Sequence, residues 1–443
     1  MHDRLYYLNH VSELTAEELF HAINQGIVEL EDLIKTGNLD RSKRQEIRNM
    51  LQNLAIEENE FWKNCKGIND WQEYLKRYPS GKYFLEASKL SEEFWDDQRK
   101  KNLERTRLVK DIKENPNSYK PDMIMKFVKS GTISFSDLSD AGIPKDIINK
   151  LNYSISTPEM KLGIPPTSIP EGFTEVYFWG FMGSGKTCAL GSILGTAYSK
   201  GYLEMASGPS FDYMLKLRNI FMEPISILPG ATPDKTQYLP FTLKKEHERY
   251  ARSISLIELS GEIFQCFLYR ETDKPFPTDL HEESFNTLLQ FLNGSNRKIH
   301  FFFVDYEQEN KPDASGYYQS DYLSAATAYF NSPDNKIFTE KTDAIYIVLT
   351  KSDLIKCSKE ERIHHVKDYL LGNNYSAFVN ALRSKCIQNS INGKRLLGLE
   401  FSLGQLYFKD FCKHDSTSAE NIIDILMSRV QPQKESVLDF LNR

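Results

Sequence analysis

Up to about residue 153 the apolar positions recur at helical spacing. Beyond residue 172 they gather into short runs separated by helical segments. In the first stretch Leu19, Ile23, Leu30 and Leu33 fall on helix faces, with few β-branched alternations. In the second, EVYFW at Glu175–Trp179, SISLIEL, KIHFFFVD and Ala344–Leu349 read as strands, and helical patterns intervene. Alternation of this kind predicts an α/β domain, a mostly parallel sheet with helices on both faces. Between the two patterns, residues 154–172 carry four prolines in a short polar stretch that cannot continue a helix. The expected organisation is therefore an all-α region over 1–153, a linker over 154–172 and an α/β domain over 173–443.

The helical region reads as an internal repeat, with copies over 14–50 and 119–151. Laying 19–37 over 124–142 matches Leu19 with Ile124, Ile23 with Val128, Gly26 with Gly131, Asp32 with Asp137, Leu33 with Leu138 and Gly37 with Gly142. Glycines at fixed offsets look like helix C-caps of two similar hairpins, although two unrelated amphipathic helices also match in this way. Between the copies, Trp71, Tyr74, Leu75 and Tyr78 precede Pro79-Ser80-Gly81 and a further apolar helix. This segment resembles the hairpins of tetratricopeptide-like modules, and aromatic packing of a helical core accounts for it equally well. The charge-dense run 96–114 reads as a solvated helix face.

Composition narrows the partners. A net charge of -6 gives no overall attraction to phosphate backbones, so nucleic acid is not an expected partner. The six cysteines have no metal-ligand spacing and read as reduced thiols. No apolar run approaches the ~20 residues of a membrane span, and the start lacks a secretory pattern, which points to a cytoplasmic protein.

The chemistry centres on GFMGSGKT, Gly180–Thr187, which follows a strand and opens a helix. In that context the motif is a phosphate-binding P-loop. Gly180, Gly183 and Gly185 permit the tight turn, and the amides through Ser184 to Cys188 cradle phosphates beside a helix N-terminus. Lys186 supplies a point charge, and the Thr187 hydroxyl is placed to ligate Mg2+.

Farther along, Thr350-Lys351-Ser352-Asp353 follows the apolar strand 344–349. Together with the P-loop, this resembles the GTPases of the Ras-like and translation-factor superclass, whose base motif is (N/T)KxD. The resemblance implies that Asp353 accepts from guanine, that the Lys351 stem packs on the base, and that Ser402 and Leu403 in the next loop close over it. Thr350 stands where asparagine is commoner. A buried Asp353 would be left unpaired against adenine, which favours GTP and GDP. The resemblance also implies that Glu258-Leu259-Ser260-Gly261 is the DxxG element, with Glu258 at the metal-holding position and the Gly261 amide toward the γ-phosphate. Asp305, ending KIHFFFVD, is the alternative metal carboxylate. Glu262 occupies the position of a water-orienting glutamine, and its charge beside a γ-phosphate implies slow turnover. Thr236 is the expected switch threonine, for metal and catalysis, with Thr232 the other choice; the interval 203–250 reads as an enlarged, mobile switch region.

The SGE sequence resembles bacterial GTPases attached to signalling or conflict-system proteins. The expected function is a GTP-dependent switch that engages protein partners through its N-terminal helices. An ATP-binding regulatory or assembly module, and a scaffold with a structural nucleotide, remain alternatives; the oligomeric state is left open.

Overall fold

The computed structural model describes residues 2–152, 168–230, 236–332, 337–372 and 374–432. The chain divides into two compact units, one of residues 1–111 and 130–133, the other of 112–129 and 134–443. This division falls inside the helical region. The expected linker lies outside the described residues as far as residue 167.

The first unit is built from α1 (Arg4–Asn9), α2 (Ala16–Asn24), α3 (Leu30–Lys35), α4 (Arg41–Asn64), α5 (Ile68–Arg77) and α6 (Phe84–Glu114), the last of which runs past the division. Helix α2 starts where the sequence supplies a reciprocal cap. The Thr15 hydroxyl accepts from the Glu18 amide at 3.2 Å, and the Glu18 carboxylate accepts from the Thr15 amide at 2.8 Å. Val11, Leu19, Ala22, Val28, Leu33 and Ile47 form one small core. Tyr74, Tyr78 and Ala87 centre another, in which the buried Tyr74 hydroxyl donates to Glu58.

The second unit opens with α7 (Pro121–Lys129), α8 (Phe135–Asp140) and α9 (Lys145–Asn152). The α7–α8 segment has the local form of α2–α3, a helix, a left-handed glycine, a short helix and a second left-handed glycine. The φ angles are +71° and +73° at Gly26 and Gly37, and +73° and +85° at Gly131 and Gly142. Ser134 and Asp137 cap α8 reciprocally, as Thr15 and Glu18 cap α2.

The α/β part follows as β1 (Thr174–Gly180), α10 (Lys186–Ser199), β2 (Leu203–Met205), α11 (Phe211–Met222), β3 (Ile225–Ile227), β4 (Gln237–Leu243), β5 (Arg252–Glu258), α12 (Gly261–Glu271), α13 (Asp279–Leu292) and β6 (Lys298–Asp305). It continues through α14 (Gln319–Asn331), β7 (Thr342–Thr350), α15 (Lys359–Leu371), α16 (Ser376–Gln388), β8 (Leu397–Phe401), β9 (Gly404–Tyr407), β10 (Phe411–His414) and α17 (Thr417–Arg429). Seven strands form one sheet in the order β2-β4-β5-β1-β6-β7-β8. From β5 to β8 neighbouring strands are parallel, while β4 and β2 run antiparallel at one edge.

Strand β1 shows why the sheet is covered on both faces. All seven of its residues are buried, and because successive side chains alternate, Val176 and Phe178 pack with α10, α11 and α17 while Tyr177 and Trp179 pack with α12–α16. Trp179 stacks on Phe302 at 5.4 Å, and full burial of each such side chain contributes roughly 1.5–3 kcal/mol. The expected fold class, a mostly parallel sheet with helices on both faces in a P-loop arrangement, is the one observed.

Within residues 203–250, read from the sequence as an enlarged switch region, β2, α11, β3 and β4 occupy much of the interval. Strand β3 joins β10 and β9 in a separate three-stranded antiparallel sheet, in the order β3-β10-β9. Among the described residues, no helix is long and apolar enough to cross a membrane.

Candidate nucleotide site

The turn after β1 is shaped by glycine. Gly185 caps α10 in the left-handed region at φ +89°, where a side chain would be strained. The amides at the start of α10 therefore face a cavity of about 190 Å³ lined by Met182, Gly183, Lys186, Thr187 and Gly261. The buried Lys186 folds Nζ back onto the carbonyls of Gly180 and Phe181, at 2.8 and 3.0 Å. Burial pushes its pKa down to about 8 against the raising effect of Glu258. The Ser184 hydroxyl is buried without a hydrogen-bond partner among the described residues. Gly261 fits because it lies against the loop: a Cβ there would run into the Met182 backbone. The Glu258–Gly261 segment is thereby seated on the loop.

Glu258, at the end of β5, is 1 % exposed. Thr187 donates its hydroxyl to this carboxylate, and Tyr213 of α11 donates to the other oxygen at 2.9 Å. Antiparallel pairing sets Gln237 opposite Glu258, which brings Thr236 to the same strand end. The Thr236 hydroxyl is buried with no hydrogen-bond partner among the described residues. The hydroxyls of Thr187 and Thr236 and the Glu258 carboxylate are hard oxygen donors of the kind Mg2+ takes, and the orphaned state of the buried Thr236 hydroxyl fits such an ion. Thr232 lies outside the described residues. Asp305, the alternative carboxylate, is fully buried and engaged elsewhere, accepting from Lys351 Nζ at 2.8 Å and from the Glu307 amide at 2.9 Å.

A second cavity, of about 390 Å³, adjoins the first along Gly183, Gly185 and Cys188 and is also lined by Thr350, Lys351, Asp353 and Leu403. Thr350 Oγ1 reaches the Ser184 carbonyl at 2.9 Å and that of Val304 at 3.2 Å, so the end of β7 is tied to the P-loop. Lys351 adopts φ +56° and sets Nζ between Asp305 and Glu307, whose carboxyl is held down to about 2 by its bonds to Lys311 and Lys351. Asp353 is exposed, a correction to the buried position on which the sequence argument for guanine drew. It is held instead from the side, where the Ser402 hydroxyl donates to Oδ1 at 2.9 Å. Ser402 Oγ also accepts from the Gly404 amide at 3.1 Å, which fixes the loop carrying Leu403.

Three groups escaped sequence reasoning. Tyr213 holds Glu258 from 45 residues away, and no motif marks it. Asn117 and Lys409 line the larger cavity, with the Lys409 amide donating to Asn117 Oδ1 at 3.4 Å. Glu262 also has a partner, His281, whose Nε2 lies 3.0 Å from its Oε2.

No family model and no curated protein matches the chain. Among solved structures it is similar to the Ski7 GTPase-like domain of S. cerevisiae. With the GTP-bound structure it shares 14% identity at a TM-score of 0.29, over 60% of this chain and 52% of that one. With the structure bound to GDP and inorganic phosphate it shares 14% at 0.26, over 52% and 43%. It is also similar to nucleolar GTP-binding protein 1 from Plasmodium falciparum, with 10% identity and a TM-score of 0.26, over 59% of this chain and 88% of that one. The chain thus spans about half the length of the Ski7 chains.

Proposed function

We propose that the chain binds GTP and GDP with Mg2+, hydrolyses GTP slowly, and acts as a nucleotide-dependent switch. The observation that carries this reading is the meeting of two separate sequence motifs around one loop. The P-loop lines a small cavity, and the Thr350–Asp353 element lines a larger one that shares Gly183, Gly185 and Cys188 with it and is tied to the loop through Thr350 and Ser184. Guanine offers a pair of N–H donors to a carboxylate held as Asp353 is, and adenine does not. Lys186 and the loop amides would hold the phosphates. Thr187, Glu258 and Thr236 would hold Mg2+, directly or through water, and the ion would supply charge neutralisation between the phosphates. Asp305 is the weaker metal candidate because its charge is already matched by Lys351.

In this reading the helices before residue 153 recruit a protein partner, and the resemblance of the SGE element supports a role in bacterial signalling or defence. Titration with fluorescent GTP, GDP and ATP tests the core of it. GTP should bind with Mg2+ at least tenfold more tightly than ATP, and Lys186→Ala should abolish binding. Equal affinity for ATP would remove the guanine claim and leave an ATP-binding module.

A further inference from the structure

On the GTPase reading Glu262 presents a chemical difficulty, since a residue next to Gly261 would bring a carboxylate toward the expected γ-phosphate. The residue follows Gly261, which lines the phosphate-side cavity, and stands in the first turn of α12, its amide donating to Ser260 Oγ at 3.2 Å. Left to itself, such a side chain would turn toward solvent. It is held instead by His281 in the first turn of α13, whose Nε2 lies 3.0 Å from Glu262 Oε2, and whose Nδ1 lies 2.7 Å from Thr278 Oγ1. The imidazole is 11% exposed and the carboxylate 32%.

The hydrogen-bond roles follow from the chemistry of the groups. An ionised carboxylate only accepts, so Nε2 carries the proton. Threonine can donate to Nδ1 or accept from it, so the chain Thr278–His281–Glu262 stays satisfied whether the ring is neutral or charged. Oε2 is committed to His281, and Oε1 lies outside that bond.

We propose that His281 is a positioning residue for hydrolysis: it holds Glu262 so that the other carboxylate oxygen orients the attacking water, with Thr278 fixing the ring. In the step it serves, the water oxygen bonds to the γ-phosphorus as the bond from that phosphorus to the β–γ bridging oxygen breaks, and its electron pair leaves on GDP. The proton that Glu262 accepts from the water returns to a phosphate oxygen, giving GDP and inorganic phosphate. The inference rests on the GTPase reading above.

The test uses the full chain with Mg2+ and GTP, measuring nucleotide affinity and single-turnover hydrolysis separately. His281→Ala should lower the hydrolysis rate by about tenfold to a hundredfold, with GTP affinity changed less than about twofold. His281→Gln, which keeps an N–H donor, should recover much of the rate and serves as the second variant if the alanine form unfolds. In a Glu262→Ala background the His281 change should have little further effect, because the two residues act as one unit. An unchanged rate in His281→Ala, or equal losses with and without Glu262, would overturn the proposal. So would wild-type protein that binds GTP without turning it over, whereas failure to bind GTP at all would overturn the underlying reading first.

Discussion

At the scale of single residues, the site is governed by how few polar groups are left to compete with a nucleotide. Lys186 is the clearest case, with burial holding its pKa near 8. Phosphate oxygens would raise that value, so the complex must retain a proton that the free protein loses above about pH 8. Affinity should then be flat below pH 8 and fall by up to about tenfold per pH unit above it; isothermal titration between pH 7 and 9 checks this, and no fall would show that Lys186 does not meet the phosphates. Asp353, though exposed, has its orientation fixed by Ser402. Asp353→Asn should weaken GTP by at least about tenfold and leave ATP unaffected, while Ser402→Ala should cost a smaller part of that loss. Competition binding with both nucleotides separates the two.

At the scale of elements, the strand ends of the sheet converge on one loop. β1 delivers the P-loop, β5 delivers Glu258 and the Gly261 turn, and β7 delivers Thr350, whose hydroxyl bridges to the Ser184 carbonyl. Thr350 thus ties the strand end at the larger cavity to the loop at the smaller one through the backbone, with no contact to nucleotide required. Thr350→Val keeps the shape and removes the hydroxyl, so the single O–H shared between the Ser184 and Val304 carbonyls is lost. It should destabilise the fold by about 1–3 kcal/mol and lower nucleotide affinity together with it. Chemical denaturation of the free protein reads the first effect, and a stable variant with full affinity would show that the bridge is dispensable. The β3-β10-β9 sheet adds a link of a different kind. Leu228, just past β3, lines the larger cavity, while Pro229 and Gly230 line the smaller one, so the segment leaving β3 borders both cavities.

For the molecule as a whole, the α/β unit is held by two apolar layers that meet at β1, one on each face of the sheet. Trp179 anchors one of them, stacked on Phe302 and with its indole N–H donating to His300 Nδ1 at 3.0 Å. Burial pushes the His300 pKa down to about 3, so the ring stays a neutral acceptor through the physiological range. Trp179→Ala should cost about 3–5 kcal/mol, measurable as a lowered unfolding midpoint in denaturant. Nucleotide should oppose such losses: at a hundredfold excess over Kd, binding adds roughly 2.7 kcal/mol to stability. A thermal shift with GTP that vanishes in Lys186→Ala would show the gain coming from the P-loop.

Sequence periodicity determined the α/β class and the covered sheet, because a strand buried on both faces has to be apolar throughout, as Glu175–Trp179 and Ala344–Leu349 nearly are. The phosphate loop was equally legible, since backbone turn, charge and hydroxyl occupy adjacent positions in Gly180–Thr187. Thr350, Lys351 and Asp353 could be found for the same reason, being consecutive or nearly so at a strand end. What only the tertiary structure decided were the partners contributed by distant elements: Tyr213 on Glu258, Ser402 on Asp353, His281 on Glu262, and Lys351 on Asp305. Local sequence dictates where a chain turns and which face it buries. Which polar side chains meet across the ends of the strands depends on the order of the strands and on the helices packed between them, and no spacing along the chain records that.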